Sequence, residues 1–377
     1  MLIRIFFALC LTLPAALAHA VLPIPPAPQI EARAWLLLDS ASGQALAERN
    51  PDARVEPASL TKLMTAFLSF SALKEGRLKP DQTLPVSEKA WRAEGSRMFL
   101  DPARPARVDD LLKGMIIQSG NDACIVLAEA IAGTEEGFVS MMNQTAKRLG
   151  MTQTHFMNAT GLPHPQHTTT ARDLARLASA LIRDFPEHYT LYAQREFTYN
   201  GIRQPNRNRL LFIDPSVDGV KTGHTESAGY CLIASAQRDK RRLLSVVLGA
   251  GSDTARAMES QKLLNHGFQF YETVRLYNAN QAVTTQRIYK GEGSEIGLGF
   301  TRDFYVTVPR GAASRLKAEV ITQQPMLAPA RRGQTLGTLR LSVDGERLAD
   351  YPLQALKDVP VAGLLGRGWD SLLLMFQ

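Results

Sequence analysis

The sequence predicts an α+β fold: one antiparallel sheet packed on helices, with a helical insertion, followed by a small all-β domain. Two observations carry this. Strand-like runs at 34–38 and 44–47 open the chain and return only at 217–226, 229–237 and 243–250, with helical periodicity filling the interval. Strands and helices segregated in this way belong to α+β architectures rather than to alternating ones. Beyond 276–282 the helical pattern stops, and short alternating segments punctuated by Gly and Pro replace it.

The first twenty residues stand apart. Arg4 gives a positive start, 5–16 is an apolar run, and Ala18-His19-Ala20 is a small-x-small site. This is the pattern of a secretory signal peptide (1–20) cut after Ala20. The run is short for a membrane span. No later stretch is long and apolar enough to cross a bilayer, so the mature chain is expected to be exported and mostly soluble. A Pro-rich leader, 21–33, follows.

The strands 34–38 and 44–47 are joined by a turn at 39–43. A helix then begins near Pro57 and stops at Gly76. Residues 77–107, rich in Pro, Gly and charge, read as a long loop with short elements, a kind of segment often used for function. Residues 108–117 look helical, Ser119-Gly120-Asn121 interrupts, and 122–132 resumes a helix. Two amphipathic helices follow at 135–149 and 170–182, the second capped by a Thr. The runs 229–237 and 243–250 form a hairpin across the basic RDKRR stretch, 238–242, read as a solvated turn. Helix returns over 253–274. The catalytic unit is thus expected over 34–276 and the β domain over 277–360, with strands at 284–289, 304–308, 316–322 and 336–343. In the tail, 361–377, Val361, Leu364, Leu365, Trp369, Leu372, Leu373 and Phe376 recur at helical spacing. It is too short to span a bilayer, and it either lies in a membrane interface or packs on its own β domain.

Composition narrows the function. The 377 residues are 45% hydrophobic and 21% charged, the balance of a soluble globular protein with room for about two domains. A net charge of +7 would suit nucleic acid, but export argues against it and no such motif appears. Anionic lipid or an anionic wall polymer is the more plausible partner. Cys10 leaves with the signal. Cys124 and Cys231 lie in apolar runs and make no disulfide framework, so they read as buried thiols by default, with a bridge left open. His155, His164, His167, His188 and His266 show no H-E-x-x-H spacing, so no metal is expected.

The chemistry centres on 56–70, EPASLTKLMTAFLSF. Pro57 suits a helix's first turn. Ser59 and Lys62, three apart, share a face. The rest of the helix is apolar nearly all round, as in a core. A lysine there loses hydration, which favours its neutral form and makes it a base. A serine beside it becomes a nucleophile. The plain reading is a Ser near a helix start and a snorkelling Lys, and S-x-x-K recurs at Ser71/Lys74 and Ser314/Lys317. Two further triplets choose among the copies. Ser119-Gly120-Asn121 is the only S-x-N and Lys221-Thr222-Gly223 the only K-T-G, and both follow Ser59 in that order. Separately, Asn121 with Asp122 also suits a helix cap, and K-T-G an ordinary strand end.

The ordered set resembles the low-molecular-mass penicillin-binding proteins, the serine D-Ala-D-Ala carboxypeptidases of the penicillin-binding protein 5 / 6 type in peptidase family S11. PASLTKLMTA at 57–66, IIQSGNDAC at 116–124, IRQPNRNRLL at 202–211 and VDGVKTGHT at 217–225 carry the match, which extends over nearly the whole mature chain. The resemblance implies a β-lactamase/D,D-peptidase-like fold and no cofactor. It implies that Ser59 is the acylated nucleophile and Lys62 its base. Ser119 would relay a proton to the leaving amine, with Asn121 bonding near Lys62 and the substrate amide. Lys221 would keep the site electropositive, with Thr222 and Arg207 on the substrate carboxylate. The amides of Ser59 and His224 would form the oxyanion hole beside Gly223. The side chain of His224 either touches substrate or fills space. Cys124 lies about a turn beyond Asn121, near the pocket or simply structural.

The implied partners are a peptidoglycan pentapeptide ending in D-Ala-D-Ala, β-lactams as covalent inhibitors, and a membrane surface through the tail. The implied location is periplasmic, on the outer face of the inner membrane. A class A β-lactamase would need a deacylating Glu in an E-x-x-L-N setting, which Glu88 and Glu94 lack, so a long-lived acyl-enzyme is expected with β-lactams. The alternatives are a D,D-endopeptidase, or a non-enzymatic β-lactam sensor or wall-binding module.

Overall fold

The computed structural model describes residues 25–375, so the signal-peptide reading lies outside the described residues. The chain enters as a hairpin of β1 (Ala34–Asp39) and β2 (Ala45–Arg49). A tight 3-10 turn, Ala58–Thr61, runs into α1 (Lys62–Lys74). The long loop carries β3 (Thr83–Leu84), α2 (Glu88–Trp91) and β4 (Ala106–Arg107). Then come α3 (Val108–Lys113), α4 (Asn121–Ala132), α5 (Glu135–Arg148), α6 (Ala171–Asp184) and α7 (Pro186–Tyr189). A hairpin of β5 (Glu196–Tyr199) and β6 (Ile202–Pro205) and a short α8 (Leu210–Ile213) lead to β7 (Val217–Thr225), β8 (Gly229–Arg238), β9 (Arg241–Ala250) and α9 (Asp253–Phe270).

The main sheet is five-stranded and antiparallel, in the order β2-β1-β9-β8-β7. Its inner strands are apolar on both faces because both faces are covered. Ala34, Leu36, Leu244, Val246, Leu248 and Ile233 face a core shared with α1, α4 and α6. Trp35, Leu37, Leu243, Val247 and Leu232 face a second core closed by Leu263, Leu264 and Phe268 of α9. The period of two along a strand sends neighbours to opposite layers. Helix α1 is buried over nearly all its surface, as its composition requires, and Gly76 at φ +72° ends it. Each large apolar side chain so buried contributes roughly 1.5–3 kcal/mol. Thr134, Thr170 and Ser252 cap α5, α6 and α9 by accepting a backbone N–H three residues on.

The β domain comprises β10 (Tyr271–Tyr277), β11 (Ala282–Tyr289), β12 (Glu295–Gly299), β13 (Phe304–Pro309), β14 (Leu316–Thr322), β15 (Met326–Leu327), β16 (Thr335–Val343) and β17 (Glu346–Ala355). It has its own core around Ile296, Leu298, Val306, Leu339, Leu341 and Leu353. The tail forms α10 (Leu364–Leu374).

Two expectations are corrected. The helix expected to reach 274 ends at Phe270, and Tyr271–Tyr277 is a strand pairing with β13, Glu272 opposite Val308 and Val274 opposite Val306. Strand-to-strand pairing there prevails over local helical pattern, and the unit expected to end at 276 gives up these residues to the β domain's strands. The basic stretch 238–242 is not simply a solvated turn. Arg241 Nε donates to the fully buried Asp39 at 2.9 Å, and Nη1 donates to the carbonyls of Gly267 at 2.9 Å and Tyr271 at 2.6 Å. Thr273 Oγ1 donates to the same carboxylate at 2.6 Å and meets Thr307 Oγ1 at 3.1 Å, while Thr307 also meets Ser42 at 2.7 Å. Arg241 is therefore the rivet between the two domains.

Candidate active site

Ser59 stands on the 3-10 turn rather than in the first turn of α1, and Lys62 opens the α-helix. The turn is tight because Ala58 takes a left-handed conformation, φ +48°, a region that costs a non-glycine residue about 1 kcal/mol or more. Strand β7 presses on it: a Cβ on Gly223 would lie 3.2 Å from Pro57 O and 3.3 Å from Ser59 N. Glycine at the end of K-T-G lets the strand edge reach the nucleophile's own amide.

Lys62 is 1% exposed, and its Nζ lies 3.0 Å from Ser59 Oγ and 2.5 Å from the carbonyl oxygen of Thr160. Burial pulls its pKa down to about 8, with the charge of Arg207 adding to the effect and Asp122 opposing it. A second lysine mirrors it. Lys221, on β7, donates to Ser119 Oγ at 3.0 Å and to Thr222 O at 3.0 Å. Burial first, then the charges of Lys62, Arg207 and Arg256, hold its pKa well below the usual lysine value. Two serines thus meet two desolvated amines from opposite sides of one site.

Ser119 owes its place to an interruption in the helix. After α3 the chain widens into a π-helical turn, Gly114–Gln118, and Ser119 then takes φ +67°. Such turns recur at functional sites because they redirect a side chain without ending the helical layer. Asn121 opens α4. Its Nδ2 donates to Glu94 O at 2.6 Å, and its buried Oδ1 has no bond within the protein, so the expected bond to Lys62 is not formed. Asp122 beside it accepts the N–H groups of Met98, Phe99 and Leu100 at 3.0–3.2 Å, pinning the long loop against the site.

At the other end, Thr222 and Gly223 are buried, while His224 is exposed and its ring packs against Tyr230, tilted by 32° with 4.0 Å between centroids. Arg207 is exposed and lines a cleft of about 410 Å³ with His224, Tyr230, Asp253 and Arg256. Arg256, from α9, donates to Gly223 O at 2.9 Å. Cys124 and Cys231 are free and buried, and burial pushes the Cys124 thiol up to about 12, so it is neutral and inert at physiological pH. Ser71 and Ser314, the other S-x-x-K copies, lie at the far end of α1 and in the β domain.

Sequence reasoning missed three parts of this site: the Thr160 carbonyl, the Asp122 clamp and the support from Arg256. Backbone acceptors carry no residue signature. The Asn158-to-Gly161 spacing is a turn signal that would have marked the first. The β5–β6 hairpin was also legible in Asn200-Gly201, both at positive φ, the strongest short hairpin signal.

A serine hydroxyl held by a desolvated amine defines a serine acyl-transfer site. Residues 22–252 match the family model described as D-alanyl-D-alanine carboxypeptidase (peptidase S11), and 271–361 match penicillin-binding protein 5, C-terminal domain. The chain belongs to this carboxypeptidase family. It is 46% identical over 359 residues to D-alanyl-D-alanine carboxypeptidase DacC of Escherichia coli (strain K12), covering 93% of this chain and 90% of the relative. It superposes on crystal structures of penicillin-binding protein 5 from Haemophilus influenzae with TM-score 0.84 and 40% identity, covering 88% of this chain and 98% of the other. Penicillin-binding protein D2 from Listeria monocytogenes, solved in an ampicillin-bound form, matches with TM-score 0.60 and 34% identity over 65% of this chain and 100% of the other.

Proposed function

We propose that the chain removes the terminal D-Ala from peptidoglycan pentapeptides through an acyl-enzyme on Ser59. The observation that carries this is the pairing of Ser59 with Lys62 and of Ser119 with Lys221, each at 3.0 Å. Ser59 Oγ attacks the carbonyl of the penultimate D-Ala, and its proton passes to neutral Lys62. The oxyanion is received by the amides of Ser59 and His224. The C–N bond breaks as Ser119 relays to the leaving nitrogen the proton taken up by Lys62, ending with its own hydroxyl restored, with Asn121 holding the substrate amide. Lys221, Thr222 and Arg207 pair the terminal carboxylate of the departing D-Ala. Water then hydrolyses the ester, returning the hydroxyl to Ser59.

A β-lactam follows the same first half, but its leaving nitrogen stays tethered, so the ester persists. The protein acts on the periplasmic side. The tail α10 presents Leu364, Leu365, Trp369, Leu372 and Met375 outward, and this face rests on the outer surface of the inner membrane. The deciding experiment incubates the purified protein with a peptide ending in D-Ala-D-Ala and measures free D-Ala, alongside mass spectrometry after penicillin. D-Ala release and a penicilloyl adduct confined to Ser59 are expected. An adduct without release would point to a sensor or wall-binding role, and adduct formation persisting in folded Ser59→Ala would overturn the site.

A further inference from the structure

The Lys62 amine is held from two sides, and only one of them is the nucleophile. The other is the Thr160 carbonyl, at 2.5 Å. It belongs to a turn, 158–162, that a single side chain closes. Asn158 Oδ1 accepts the N–H of Gly161 at 2.7 Å, the N–H of Thr160 at 3.2 Å and the Thr160 hydroxyl at 3.1 Å. Its Nδ2 donates to Leu162 O at 3.0 Å. The turn is tied to its surroundings by Thr65 Oγ1, which donates to Ala159 O at 2.7 Å, and by Glu135, which accepts the Ala159 N–H at 2.9 Å. On its inner side Gly161, at φ +88°, lies against the turn that carries the nucleophile. A Cβ on Gly161 would fall 1.8 Å from Ala58 O and 3.0 Å from Ser59 N. One five-residue turn therefore contacts both the base and the nucleophile's backbone.

We propose that Asn158 is a positioning residue for acylation, which holds the Thr160 carbonyl where it orients the Lys62 amine toward Ser59. The proposal rests on the reading of Ser59 and Lys62 as nucleophile and base. A carbonyl oxygen only accepts, so one N–H of Lys62 points at Thr160 whatever the charge on the amine. In the neutral amine this removes one of the staggered directions open to the lone pair, and Ser59 Oγ lies at 3.0 Å in the space that remains. The long lysine side chain would otherwise spend rotamer freedom on this aim. Asn158 does not touch the reacting atoms. It acts through a backbone group that has no side chain of its own to select, so the asparagine is the residue on which a substitution registers.

The test compares Asn158→Ala, Asn158→Ser and the wild-type chain in penicillin acylation, separating the limiting acylation rate from the non-covalent binding constant, with thermal unfolding in parallel. For Asn158→Ala the limiting rate is expected to fall at least about tenfold, the scale of a sub-ångström misplacement of a reacting group. The non-covalent constant stays within about twofold, since the carboxylate contacts are untouched. Asn158→Ser keeps one oxygen acceptor for the Gly161 N–H and recovers part of the rate, and it carries the comparison if Asn158→Ala fails to fold. A limiting rate within about twofold of wild type in a folded Asn158 variant overturns the proposal, and so does a loss divided equally between binding and rate. Failure of the wild-type chain to be acylated, or acylation surviving Ser59→Ala, is a different result and overturns the reading beneath it.

Discussion

Lys62 and Lys221, both nearly fully buried, each donate to a different serine at 3.0 Å, and the charge of Lys62 is, after burial, a cause of the low proton affinity of Lys221. Burial acts on both amines in the same direction, so each holds its proton less tightly than a free lysine does.

Acylation by penicillin is therefore expected to rise with pH and level off near 8, where Lys62 loses its proton. Below that value the ammonium cannot accept the Ser59 proton, and the rate falls about tenfold per pH unit. Stability follows the opposite balance of protons. Between about 8 and the ordinary lysine value near 10.4 the unfolded chain binds more protons than the folded one, so this group's contribution to stability rises with pH across that window. Acylation rates and denaturant midpoints across pH 6–10, roughly the range flanking the two values, check both.

Gly223→Ala is expected to slow acylation about tenfold with little loss of stability. The added methyl meets Ala58 Cβ, Pro57 O and Ser59 N at 3.2–3.3 Å, so the strand edge and the nucleophile's amide separate by a few tenths of an ångström. Stopped-flow acylation beside a thermal melt distinguishes this from unfolding.

Arg241→Ala is expected to cost about 3–5 kcal/mol, because it leaves the buried Asp39 carboxylate without its cation. The denaturant midpoint should drop and the two domains should lose their common transition. A single, unshifted transition would contradict the role assigned to this residue.

Deleting 363–377 is expected to move the protein from the membrane fraction to the soluble one while D-Ala release from a soluble peptide stays unchanged. Unaltered membrane association after the deletion would remove α10 as the attachment.

Much of this was legible in the chain. The hydrophobic period located α1, α5, α6 and strands β7 to β9, and three short motifs contained the residues of both serine–lysine pairs, although the bond between Ser119 and Lys221 was not foreseen. What was hidden has a common cause. Tyr271–Tyr277 became a strand through a partner some thirty residues away, and Arg241 became a half-buried anchor because Asp39, two hundred residues earlier, lies on the strand paired with its own. The Thr160 carbonyl and the amides gathered by Asp122 are backbone groups, identical in every residue type. Local pattern reports which side chains are present, but not which distant backbone folds against them.

The riveted junction has a consequence for reach. Asp39, Arg241, Thr273, Thr307 and Ser42 bind the two domains through one connected set of hydrogen bonds, which resists hinging at this junction. On the proposed seating of α10 on lipid, such a junction would hold Ser59 at a set height above the bilayer. The molecule would then act as a gauge, trimming peptides presented at that height.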